Sequence, residues 1–257
     1  MKQTLLAVIP VLLLISGNIG AQTRYEFSVS PVAGMNFGDT RFELGFSQVL
    51  DDTLVVGGGS KLVFPLDVKQ AGLEVGFRYL KDTHALWTVN LRLMLHVGDP
   101  GSKMTDRDWI TLHNYTMDFS STESTVDGSL TELEFEATRL LVGGRTVELA
   151  ALVGLGYQKV KHRMVDLSGW QYGVDADSNL VRYIFYVDDL VGTYEVRYLR
   201  PQLGVAPRFL IGSFTAELKM VVSPLLYVKD IDDHVLRFFQ IRTDGKGFGY
   251  GGRLALV

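Results

Sequence analysis

The chain has 257 residues, 47% of them hydrophobic, enough for one large folded domain and too apolar for a disordered polymer. Its net charge of -4 and pI near 5.7 give no basis for expecting nucleic acid as a partner. With no cysteine it has no thiolate nucleophile, no disulfide framework and no Cys-ligated metal.

Residues 1–21 have the three-part layout of an export signal: Lys2, an apolar run from Leu5 to Ile15, and small residues ending in Ala21, after which cleavage is expected. The run is shorter than the ~20 residues a spanning helix needs, and no later segment supplies them, so no transmembrane helix is expected. The mature domain is then 22–257. Its dominant pattern is alternation, as in Tyr25-Glu26-Phe27-Ser28-Val29, Leu91-Arg92-Leu93-Met94-Leu95 and Leu133-Glu134-Phe135-Glu136-Ala137. Alternation places apolar side chains on one face of a strand and polar ones on the other. About eight strands are predicted, at roughly 25–37, 40–50, 60–79, 85–97, 130–142, 146–162, 192–210 and 213–229, and a further one follows at about 235–257. Gly57-Gly58-Gly59-Ser60 reads as a flexible loop tip, because it lacks the Lys of a phosphate loop.

Two architectures produce such alternation: a soluble β-sandwich with an apolar core, and a transmembrane β-barrel with its apolar face to lipid. The export signal favours the barrel. So do the short turns at Lys81–His84 and Gly143–Arg145, set against long polar stretches at 98–128 and 160–190. Trp87, Tyr157, Tyr198, Tyr227 and Phe248 fall near strand ends, where interfacial girdles sit. The predicted class is all-β, an antiparallel transmembrane barrel with about eight strands visible.

In the first long stretch, Met104-Thr105-Asp106-Arg107-Asp108-Trp109 puts two carboxylates two residues apart, on one face if extended. Such a pair tends to share a proton and can serve as a general base. A solvated acidic loop fits as well. In Asp230-Ile231-Asp232-Asp233-His234, Asp232 and His234 share the same spacing, and a carboxylate beside imidazole fixes its tautomer and raises its basicity. Again a hydrated loop is the competing account. His84 reads as a turn residue, His96 as a strand residue, His113 as unpaired and His162 as part of a basic run. No nucleophile elbow, zinc-protease helix or phosphate loop is present, and neither zinc nor calcium is expected.

At these two motifs the chain resembles the omptins, the outer-membrane proteases of Gram-negative bacteria. The family carries Met-x-Asp-x-Asp-Trp on one side of a groove and Asp-x-Asp-x-His on the other, matched here by Met104–Trp109 and Asp230–His234. A weaker likeness runs over about 25–257 and includes Arg197, Pro201 and Gly204. The resemblance implies a ten-stranded barrel in the outer membrane with its active site facing outward. It also implies an aspartyl-type endopeptidase cleaving beside basic residues. His234 would be general base, Asp232 its orienter, and Asp106 and Asp108 would hold the attacking water. Asp230 would receive the basic side chain together with Glu43, the latter only with one residue of slippage.

The resemblance also implies lipopolysaccharide as an activating lipid, bound by Tyr157, Lys161 and Arg197. No other cofactor, no metal and a monomeric state are expected. By comparison with the family, a chain ending at Val257 is expected to be truncated or divergent, or to close with fewer strands. The rival to the enzyme is a non-catalytic outer-membrane barrel acting as an adhesin, porin or structural protein.

Overall fold

Alternation decides which way each strand faces, and here the two faces are inverted relative to a soluble protein. The computed structural model describes residues 15–18, 23–36, 38–49, 55–65, 67–81, 84–98, 103–112, 115–212, 214–235 and 238–256. Among these residues lie twelve strands: β1 (Ile15–Asn18), β2 (Thr23–Met35), β3 (Asp39–Val49), β4 (Val55–Pro65), β5 (Lys69–Lys81), β6 (His84–His96), β7 (Lys103–Leu112), β8 (Tyr115–Gly143), β9 (Val147–Val174), β10 (Leu180–Ile211), β11 (Phe214–His234) and β12 (Phe239–Leu256). Of the expected export segment only β1 is described, antiparallel to Arg24–Phe27 of β2; Ala21 and Gln22 lie outside the described residues.

All pairings are antiparallel, and the main path runs β1-β2-β5-β6-β8-β9-β10-β11-β12. A branch β3-β4-β7 joins the first part of β8, whose second part pairs with β6. Leu73, Val75, Leu91, Leu93, Phe135, Val153, Leu155 and Leu203 are all exposed on the outside of this sheet. The residues between them turn inward and are charged: Glu74, Arg92, Glu134, Glu136, Arg200 and Lys219. An exposed apolar belt backed by a charged interior is the signature of a barrel wall in lipid, so the soluble sandwich is excluded.

The interior charges are paired. Glu134 of β8 accepts from Arg92 of β6, from Gln202 of β10 at 3.3 Å and from Arg253 of β12 at 2.5 Å. Arg253 also lies 3.9 Å from Glu74 of β5, and Lys219 is bonded to Glu136. Arg92 faces Glu134 from the neighbouring strand, whereas the pairs made by Arg253 and Lys219 cross the lumen and hold strands that are far apart in the sheet. Above them the interior changes to a packed apolar plug, including Phe64, Val68, Val126, Leu130, Val160 and Val196.

The long polar stretches expected as loops are strands. β8, β9 and β10 run for 29, 28 and 32 residues, against the ~9–11 that cross a membrane, and the surplus stands above the apolar belt. Residues 98–128 supply β7 and the start of β8, and 160–190 supply a β9–β10 hairpin whose turn is at 175–179. Above the belt neither face meets lipid, so these strands carry no apolar alternation to announce them. The single strand expected at 60–79 is two, β4 and β5, which join different parts of the sheet. Proline has no N–H for a ladder, and β4 ends on Pro65.

Candidate active site above the membrane belt

The two acidic motifs sit on strand ends that rise above the plug. Asp230, Asp232 and His234 close β11, where the sequence suggested the start of a loop. Their spacing of two keeps all three on the inner face. His234 Nε2 donates to Asp232 Oδ2 at 3.0 Å, both side chains being about four-fifths covered. That bond leaves Nδ1 as the basic nitrogen of the neutral ring.

Asp106 stands on β7, one strand in from β4. Ser60 Oγ of β4 donates to Asp106 Oδ1 at 2.9 Å. Asp108 accepts from Ser120 Oγ of β8 at 2.7 Å. The Gly57–Ser60 run is therefore no loop tip; it is the strand that carries Ser60 beside the acid. Gly59 is required there. A Cβ at Gly59 would lie 2.2 Å from Trp109 Cζ2 and 2.5 Å from the Leu44 carbonyl, so the Trp109 ring lies against bare backbone.

Asp106, Asp232 and His234 line one cavity of about 100 Å³. Ser120 lines it too, while Asp108 faces the neighbouring recess beside Phe46 and Trp109. The structure thus brings three of the four expected catalytic residues to one space and links the fourth to it through Ser120. Among the described residues no group of three or more His, Asp or Glu side chains is placed to hold a metal.

Asp230 lies one strand repeat below Asp232, 9% exposed and beside the Tyr194 and Tyr198 hydroxyls. Glu43 does not join it. Phe42 takes the inward position on β3, with its ring 5.2 Å from that of Tyr194, so Glu43 turns outward and is exposed.

The floor under the cavity is an aromatic stack. Phe64 and Tyr194 rings stack at 4.4 Å, and His162 lies 5.8 Å from Phe64. His162 is 1% exposed and neither ring nitrogen has a hydrogen-bond partner among the described residues. Burial, with His96 nearby, pushes its pKa down to about 4. The sequence set His162 in a basic run, but Lys161 and Arg163 point outward and His162 inward, as alternation alone would have it.

On the outer wall Tyr157 and Arg197 line a groove that Tyr227, Lys229 and Lys246 complete. Lys161 is exposed but stands above the groove and does not line it. Tyr198, expected in an interfacial girdle, packs inward against the plug. Lys246 lies 5.9 Å over the Tyr227 ring. Ser60, Ser120, Lys229 and Lys246 had no motif to mark them; only the strand register assembles them.

The model of the omptin family matches residues 72–253, a stretch that holds both acidic motifs. The fold is similar to the crystal structure of the outer membrane protease OmpT from Escherichia coli, with a TM-score of 0.64 and 12% identity over 97% of this chain and 79% of that one. No curated protein matches the chain by sequence. The family match spans most of the chain, and both motifs it covers meet at one cavity: the chain belongs to the omptin family.

Proposed function

We propose that this omptin is an outer-membrane endopeptidase that hydrolyses peptide bonds beside a basic residue, with its site on the outer side of the membrane. The observation that supports this most is the convergence of Asp106, from β7, with Asp232 and His234, from β11, on one cavity. Asp232 accepts the Nε2 proton, which orients the ring and makes Nδ1 the base. His234 takes a proton from water as the water oxygen attacks the peptide carbonyl. The same proton then goes to the departing amine as the C–N bond breaks. Asp106, fixed by Ser60, holds the water from the facing wall, and Asp108 acts through Ser120. No acyl-enzyme forms, which agrees with the absence of a Ser or Cys nucleophile in either motif. Asp230 receives the cationic side chain by charge-assisted hydrogen bonding.

The outer groove supports lipopolysaccharide as the activating lipid. Its lysines and Arg197 are donors suited to lipid phosphates, and its tyrosines suit the membrane interface. Protein refolded as a monomer with lipopolysaccharide should cleave a peptide containing arginine, and His234→Ala should lower kcat by about 10²- to 10⁴-fold. Equal inertness of wild type and variant, with both inserted in membranes, would favour the non-catalytic barrel.

A further inference from the structure

One side of the catalytic cavity is apolar. Leu62 of β4, Met104 of β7, Met164 and Leu167 of β9, and Phe185 and Val191 of β10 form that side. The remaining lining is hydroxyls, the Gln171 amide and the backbone of Gly192; only Asp106, Asp232 and His234 ionise. The apolar wall is preformed, since Leu62, Met104 and Met164 also belong to the buried plug. Gly192 makes room for it. A Cβ there would lie 2.9 Å from Met164 Cε and 2.9 Å from the Asp233 carbonyl.

At about 100 Å³ the cavity is of the order of apolar cavities that bind benzene-sized ligands. Its methionines can adjust to the shape of an occupant. Water against the Leu, Met and Phe side finds no partners, so an apolar group displaces it with gain. A guanidinium there would lose its hydration on that wall and could be paired only by drawing Asp106 or Asp232 away from the attacking water. Asp230 does not line the cavity; it lies below, among Tyr194 and Tyr198. Two subsites of opposite chemistry therefore adjoin the Asp232–His234 pair.

We infer that this cavity is the subsite for an aliphatic side chain on the residue across the scissile bond from the basic one, so that the preferred junction is basic–aliphatic and not dibasic. This rests on the endopeptidase reading for turnover, but not for binding. Leu167 and Phe185, which are only partly covered, would set the preference.

The test uses the full chain refolded with lipopolysaccharide and peptides alike except at one junction: Arg-Leu, Leu-Arg, Arg-Ala and Arg-Arg. One of the two leucine peptides should show kcat/KM at least ~10-fold above both Arg-Ala and Arg-Arg. Leu167→Glu should reverse the order between leucine and the second arginine, and Phe185→Ala should shift preference toward larger apolar side chains. The same peptides, fluorescently labelled, are titrated into His234→Ala to read Kd without turnover. Cleavage with Arg-Arg equal or preferred, or an order unmoved by Leu167→Glu, overturns this inference and leaves the protease standing. Selective binding of a leucine peptide with no cleavage by wild type does the reverse. Neither cleavage nor selective binding removes both.

Discussion

Ser60 and Asp106, on adjacent strands β4 and β7, are joined by a hydrogen bond of 2.9 Å from the serine hydroxyl to the carboxylate. This bond aims the acid that faces His234 across the cavity. Ser60→Ala should lower kcat by about 5- to 10-fold, the worth of one such bond at roughly 1–1.4 kcal/mol, with KM little changed. Ser60→Thr should recover part of the loss. Steady-state kinetics of the two variants decide it, and an unchanged kcat in Ser60→Ala would remove Ser60 from the site.

Glu134 holds Arg92 of the neighbouring strand and Arg253 across the lumen. Its replacement by leucine strands cations in a partly closed interior. A loss of about 3 kcal/mol is expected, read as a lower urea midpoint in detergent micelles. The paired change Glu134→Leu with Arg253→Leu should be milder than the sum of the two single changes. Strict additivity would mean that the contact across the lumen contributes nothing.

His162 predicts how stability varies with pH. Its folded pKa of about 4 lies below the ordinary 6.5, chiefly through burial. Between these values the unfolded chain binds a proton that the folded chain does not. Stability from this group is therefore complete above pH ~6.5 and falls as pH drops toward 4, by up to roughly 3 kcal/mol. Unfolding midpoints at pH 7 and pH 4.5 should converge in His162→Phe more than in wild type. Parallel pH curves for the two proteins would show that His162 takes up its proton normally.

The outer groove supplies a different test. Lys229→Glu with Lys246→Glu should raise the lipopolysaccharide concentration giving half-maximal activity by at least ~10-fold, at about 1 kcal/mol per basic residue. Lys161→Ala should matter less, because Lys161 stands above the groove. The reverse order would move the lipid site up the wall.

Much of this was legible in the chain. Alternation such as Leu91-Arg92-Leu93 is a local property of extended backbone, so it announces each membrane-crossing strand without its neighbours. The two acidic motifs were legible for the same reason, since a spacing of two keeps Asp232 and His234 on one face wherever the strand lies. Above the belt this signal ends. Ser120, Thr122 and Ser124 face the cavity with no apolar alternation beside them, so a strand there looks like a loop.

The amino-acid sequence by itself determined an all-β wall with an apolar outside, and the identity of the acids and the histidine. Only the tertiary structure decided what they face. Pairing along β4-β7-β8 set Ser60 beside Asp106, and the inward turn of Phe42 sent Glu43 to the surface. The course of β9 and β10 raised an apolar wall opposite Asp232 and His234. Those relations depend on register between strands distant in the chain, where a shift of one residue reverses every side chain, and no local pattern encodes that choice.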